Sequence, residues 1–113
     1  MATIKLSDET RQALKRTALF LRAQAQWLDQ TGSQQTLPQV QAYVETLERL
    51  GGSSDPVSVS DSERNHIQQA AFLLEGARNS YRNAEFKDRA AKVASDIARL
   101  YDIVKEVNEQ TNN

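Results

Sequence analysis

There is no cysteine in this chain. That absence excludes disulfides, thiolate nucleophiles and cysteine-based zinc sites, and leaves the redox compartment open. One histidine, His66, has no second imidazole with which to share a metal. Two prolines and four glycines leave long stretches without helix breakers. Aromatics are only 6%, so a core has to be built from Ala, Leu, Val and Ile. Charge of one sign is missing as well. A net charge of −1 gives no global field toward nucleic acid or anionic lipid. No apolar run approaches membrane-spanning length, and the opening Met1 to Leu6 has no apolar core of signal-peptide length. The expected compartment is the cytoplasm, with no membrane association.

What is present balances toward a globular protein, with 39% hydrophobic and 26% charged residues. The length suits one domain, residues 1–113. The strongest pattern lies between Asn83 and Glu109. Phe86, Ala90, Val93, Ile97, Leu100, Val104 and Val107 recur at spacings of four and three, an apolar seam on one face of a helix. Lys87, Arg89, Lys92, Asp96, Arg99, Asp102, Lys105 and Glu106 fill the remaining faces and are expected in water.

Upstream, Ala2 to Leu6 alternates apolar and polar, as a short strand or an extended lead-in. Ser7 suits an N-cap, and Asp8 and Glu9 suit the positive end of a helix dipole. The first helix should run from Asp8 to about Gln30, with a seam of Leu14, Ala18, Leu21, Ala25 and Leu28 widened by Leu19, Phe20 and Trp27. Thr31-Gly32-Ser33 stops it, with Gly32 in a left-handed position. A second, short helix is expected from Leu37 to Leu50. Thr36 and Gln39 form a weak capping box there, Pro38 sits in the first turn, and Val40, Val44 and Leu47 make its core stripe beside Tyr43. Gly51-Gly52 ends it. Pro56 to Ser60 alternates again, as an extended segment or a partner for Thr3 to Leu6.

Ser60 with Glu63 is a strong capping box. It opens a third helix whose stripe is Ile67, Ala70, Ala71, Leu74, Ala77 and Tyr81, with Phe72 and Leu73 adding width. Gly76 inside it suggests a close helix crossing. The third stripe and the Phe86-to-Val107 stripe point roughly 130° apart on one straight helix. A break near Tyr81 to Asn83, with Asn83 capping the restart, lets both face one core. A continuous helix shared across a dimer is the alternative. The predicted fold is all-α: an antiparallel four-helix bundle with an optional short extended N-terminal segment.

The run Ala71-Phe72-Leu73-Leu74-Glu75-Gly76-Ala77, followed by Tyr81 and Phe86, resembles the signature turn of histidine phosphotransfer domains, which are four-helix bundles. That family's His and Lys are replaced here by Phe72 and Glu75. The resemblance therefore implies an inactive relative that binds partners. The opening Thr3-Ile4-Lys5-Leu6-Ser7-Asp8-Glu9 is similar to the strand-to-helix start of ribbon-helix-helix DNA-binding proteins. It implies a dimer reading bases with Thr3 and Lys5. That family's short first helix is not matched, because a helix of more than twenty residues follows here.

No catalytic constellation, metal cluster or phosphate loop is evident, so an enzyme is not expected and no cofactor is implied. His66 reads either as a phospho-accepting, metal-binding or acid–base group, or as an ordinary boundary histidine. Asp61 and Glu63 read as helix-start residues. Arg78, Arg82, Lys87, Arg89 and Lys92 crowd the junction of the third and fourth helices beside Tyr81, among Glu85 and Asp88. That patch could take an anion or an acidic partner, or form a solvated face through the pairs Glu85–Arg89 and Asp88–Lys92. Trp27 and Phe20 read as core or as an exposed partner patch. The leading expectation is a small non-enzymatic helical adaptor or regulatory subunit. It presents a helix face to a protein partner through Phe20, Trp27, Arg78, Tyr81, Arg82 and Arg89, with a homodimer as a further possibility. Nucleic-acid binding through the basic junction or the N-terminal segment is the second reading.

Overall fold

The computed structural model describes residues 1–32 and 36–111, the side chains of Leu28 and Thr31 excepted. The elements in order are β1 (Ala2–Ile4), α1 (Asp8–Thr31), α2 (Leu37–Gly51), β2 (Val57–Val59), α3 (Asp61–Asn83) and α4 (Lys87–Thr111). The four helices form an all-α bundle of two antiparallel pairs, α1 with α2 and α3 with α4. The small sheet lies at one end, against α4.

Ser7 starts α1 as its sequence suggests: its Oγ accepts the Thr10 N–H at 3.1 Å. Gly32 stops the helix in the left-handed region, at φ 78°. Leu28 and Ser33, two of the residues read for this helix and its end, lie outside the described side chains and residues. The start of α2 differs from expectation. Thr36 makes no side-chain cap bond and has helical backbone angles, so Pro38 is the working N-terminal signal there. The end of α2 is as expected: Gly52 is the C-cap, and the last helical residue is Gly51. Gly51 is buried inside the last turn against α1, where a Cβ would stand 3.1 Å from Lys15 Cγ and 3.3 Å from the Arg11 carbonyl oxygen. Close approach of the two backbones is what requires glycine at that position.

The capping box of α3 is complete. Glu63 N–H donates to Ser60 Oγ at 3.1 Å, and Ser60 N–H donates to Glu63 Oε1 at 3.0 Å. Gly76, expected at a crossing, has nothing within 4 Å of where a Cβ would stand and is exposed.

The break between α3 and α4 is real, but it falls three residues later than expected and Asn83 does not cap the restart. Asn83 is the last residue of α3. Glu85 adopts a positive φ of 65°, Phe86 N–H donates to the Tyr81 carbonyl at 2.8 Å, and Glu85 N–H donates to the Arg82 carbonyl at 3.1 Å. This is a Schellman ending with glutamate where glycine is usual. Phe86 consequently precedes α4 and is 53% exposed instead of opening its seam.

β1 pairs antiparallel with β2 in the register Ala2↔Val59, Thr3↔Ser58, Ile4↔Val57. Ala2, Ile4, Val57 and Val59 turn into the core, and Thr3 and Ser58 turn to solvent. The outer edge of β1 is covered at Thr3, where Gln110 of α4 accepts its N–H at 2.9 Å and donates to its carbonyl at 2.8 Å. A ribbon-helix-helix dimer would need β1 to pair with its own copy. Here β2 and Gln110 occupy both sides of Thr3. The core joins these strands to Leu14, Leu21, Leu47, Leu50, Ile67, Leu100 and Val107, all fully buried.

Candidate functional site

α1, α2 and α3 do not close on one another completely. Between them lies an apolar groove of about 710 Å³. α1 supplies Phe20, Ala23, Gln24 and Trp27; α2 and the residue before it supply Thr36, Gln39, Val40 and Tyr43; α3 supplies Gln69, Phe72 and Leu73. Among the described residues no charged side chain lines it. Its polar groups are neutral amides and hydroxyls.

The groove follows from the helix stripes being wider than one seam. On α3, Ile67, Ala70, Ala71 and Leu74 fill the core, and Phe72 lies one step around the helix, 65% exposed. On α1, Leu14, Ala18 and Leu21 are buried and Trp27 is 62% exposed. Full burial of a large apolar side chain is worth about 1.5–3 kcal/mol, so much of that stabilisation is unrealised at these two positions. Leu19, read as widening the stripe, is likewise exposed, but outside the groove. His66 stands at the α2–α3 contact. Its Nδ1 is 2.7 Å from Thr46 Oγ1, and its ring tilts against Tyr43 with centroids 5.5 Å apart. It thus ties α3 to the helix that carries one wall of the groove.

Phe20 also borders a second, smaller cavity of about 210 Å³ between α1, α3 and α4. Phe20, Leu74 and Val93 form its apolar part, and Tyr81, Arg89, Lys92, Arg16 and Asp96 its polar part. Asp96 corrects the expectation that the polar residues of α4 all face water. It is 7% exposed and accepts from Arg16 Nε at 3.1 Å and from Arg16 Nη2 at 2.7 Å. The hydrogen bond to Asp96 raises the Arg16 pKa above its ordinary value. Burial opposes that rise and the Asp96 charge adds to it. Arg89 and Lys92 do not form the expected pairs. Among the described residues neither lies within 4.0 Å of a carboxylate, and Arg89 instead stacks over the Phe86 ring, 5.4 Å from its centroid. Elsewhere on α1 and α2 opposite charges do meet within the chain, as Arg22 pairs with Glu48.

The six residues read from the sequence as a partner surface therefore divide. Phe20 and Trp27 meet in the groove. Phe20, Tyr81 and Arg89 meet in the second cavity. Arg78 and Arg82 line neither. Arg82 is exposed in the last turn of α3. Arg78 is half-buried, with its Nε enclosed and without a hydrogen-bond partner, and its charge bears on Tyr101. The Tyr101 hydroxyl is pushed above its ordinary pKa, first by burial and then by the charge and hydrogen bond of Glu75, with Arg78 opposing. Phe72, Leu73, Tyr43 and Val40 are groove residues that the sequence marked only as helix stripe. The one signal for Phe72 is its place beside an already complete six-residue stripe, Ile67 to Tyr81.

Among the described residues no helix is long and apolar enough to cross a membrane, and no group of three or more His, Asp or Glu is placed to hold a metal ion. No family model, curated protein or solved structure matches the chain.

Proposed function

We propose that this protein is a small non-enzymatic helical adaptor of the cytoplasm, and that the groove between α1, α2 and α3 receives an apolar helix face of a protein partner. The observation that supports this reading is the convergence of Phe20, Trp27, Tyr43, Phe72 and Leu73 on one uncharged groove, with Trp27 and Phe72 mostly exposed. Large aromatics in a concave apolar site are the usual anchors of a protein interface. An apolar groove between helices suits an amphipathic helix laid across it. The polar lining is limited to neutral groups such as Gln24, Gln39 and Gln69, which accept or donate without demanding a charge.

The test is recovery of partners from native lysate on the immobilised full chain, compared with its Phe72→Glu and Trp27→Ala variants. Circular dichroism first establishes that the variants keep the wild-type melting temperature, as expected for exposed positions. A protein retained by the wild type and lost by both variants supports the reading. Retention that ignores both substitutions refutes it.

A further inference from the structure

We infer that the partner segment is acidic at one end of its apolar face, and that this end lies over Arg89 and Lys92. The inference rests on the docking reading above and specifies its chemistry.

Phe20 is a wall of both cavities, so the large groove and the small basic one are neighbours along α1. From Trp27 at one end to Arg16 at the other is about eleven residues of α1, or about 16 Å at 1.5 Å per residue. A partner helix of about three turns covers that distance. The charge along this path is uneven. The groove lining carries none. The second cavity carries three cations, Arg16, Arg89 and Lys92, against the single carboxylate of Asp96.

Asp96 is already committed, because it is buried and takes two hydrogen bonds from Arg16. Arg89 and Lys92 are left without a carboxylate, and both are exposed on the first two turns of α4. Arg89 is held over the Phe86 ring, which limits its freedom before anything binds. A segment that buries apolar side chains against Phe20, Leu74 and Val93 brings its next polar residue within reach of these two cations. Asp or Glu at that point gains a charge-assisted contact, and Lys or Arg there is repelled. The apolar floor distinguishes this site from a phosphate-tracking surface, in which cations line a polar path.

The test is a display library of sixteen-residue amphipathic helices with a fixed apolar seam and randomised flanks, selected against the full-length protein. Selected peptides are then titrated by fluorescence polarisation against wild type, the double variant Arg89→Glu/Lys92→Glu, and Phe72→Glu. The expected peptides carry Asp or Glu at one end of the seam. They weaken tenfold or more on the double variant and recover when that acidic residue is changed to Lys. Peptides that lose binding on Phe72→Glu but ignore the double variant overturn the inference and leave the docking reading standing. No selectable peptide, or binding indifferent to Phe72→Glu, overturns both. A labelled DNA duplex that binds wild type and is lost on the double variant overturns the inference in favour of nucleic acid. Concentration-dependent dimerisation abolished by Phe72→Glu overturns it in favour of a second copy of this chain.

Discussion

Arg16 on α1 and Asp96 on α4 are joined by two hydrogen bonds, 3.1 and 2.7 Å long, across 80 residues of sequence. They clamp the first helix to the last at the wall of the small cavity. The Asp96 side chain is 10% exposed and that of Arg16 42%, so the two halves of the pair are not equivalent.

Removing Arg16 leaves a buried carboxylate without its partner. Removing Asp96 leaves a guanidinium that can turn to water. Arg16→Ala is therefore expected to be the more damaging, at about 2 kcal/mol, with Asp96→Ala at about 1 kcal/mol. Urea denaturation of the two single variants and the double variant measures both. The double variant should be less destabilised than the sum of the singles.

Glu85 holds a left-handed backbone in the α3–α4 turn, a conformation that costs a residue with a Cβ about 1–2 kcal/mol. Glu85→Gly removes that cost and gives back part of it in unfolded-state entropy. The expected net gain is about 0.5–1 kcal/mol, read as a higher urea midpoint with an unchanged slope.

Two glycines predict opposite outcomes. Gly76 is helical, exposed and has open space around it, so Gly76→Ala should stabilise by about 0.5–1 kcal/mol. Gly51 is equally helical but pressed against the Arg11 backbone and the Lys15 stem, so Gly51→Val should destabilise by about 1–3 kcal/mol. Thermal melts of both variants decide the matter.

Two carboxylates contribute to the acid sensitivity of the fold. The Leu6 N–H, donating at 2.8 Å, holds Asp55 below its ordinary pKa; burial opposes this, and Arg11 and Lys5 assist. For Glu63 burial raises the pKa, but the Ser60 N–H, Arg49 and the Ser60 hydroxyl together outweigh it and the net shift is downward. A lowered folded-state pKa means stability that is present above the unfolded value, near pH 4, and is lost as pH falls through the folded one. The urea midpoint should therefore change little from pH 7 to about 5 on account of these groups and fall below about pH 4. Asp55→Asn should make that fall shallower.

Much of the bundle is legible in the sequence because its signals are local. Ser7, Gly32 and the Ser60–Glu63 box act within a few residues, and the four-three seams of Leu14–Ala18–Leu21 and Ile97–Leu100–Val104–Val107 are buried as their spacing requires. The misreadings come from elsewhere. Phe86 shares the period of the α4 seam by coincidence, and a glutamate in the left-handed position hides the turn that removes it from the helix. Asp96 looks like a solvent residue because its partner is 80 positions away. Gly76 reads in the sequence as the glycine of a close crossing and Gly51 only as a helix terminator, but the approach of α1 to the end of α2 puts the tight contact at Gly51 and leaves Gly76 in open space. The candidate site is half legible for the same reason. The pattern of α1 marks Phe20 and Trp27 as surplus to its seam. That Tyr43 and Phe72 meet them depends on how α2 and α3 are placed.

The most direct test of the docking account places a photo-crosslinking benzoylphenylalanine at position 72, in the groove, and separately at position 105, an exposed position of α4 outside both cavities. Irradiation in native lysate is predicted to give a discrete protein adduct from position 72 that is absent from position 105 and is suppressed by Trp27→Ala. Equal labelling from both positions, or no adduct from position 72, would contradict the account.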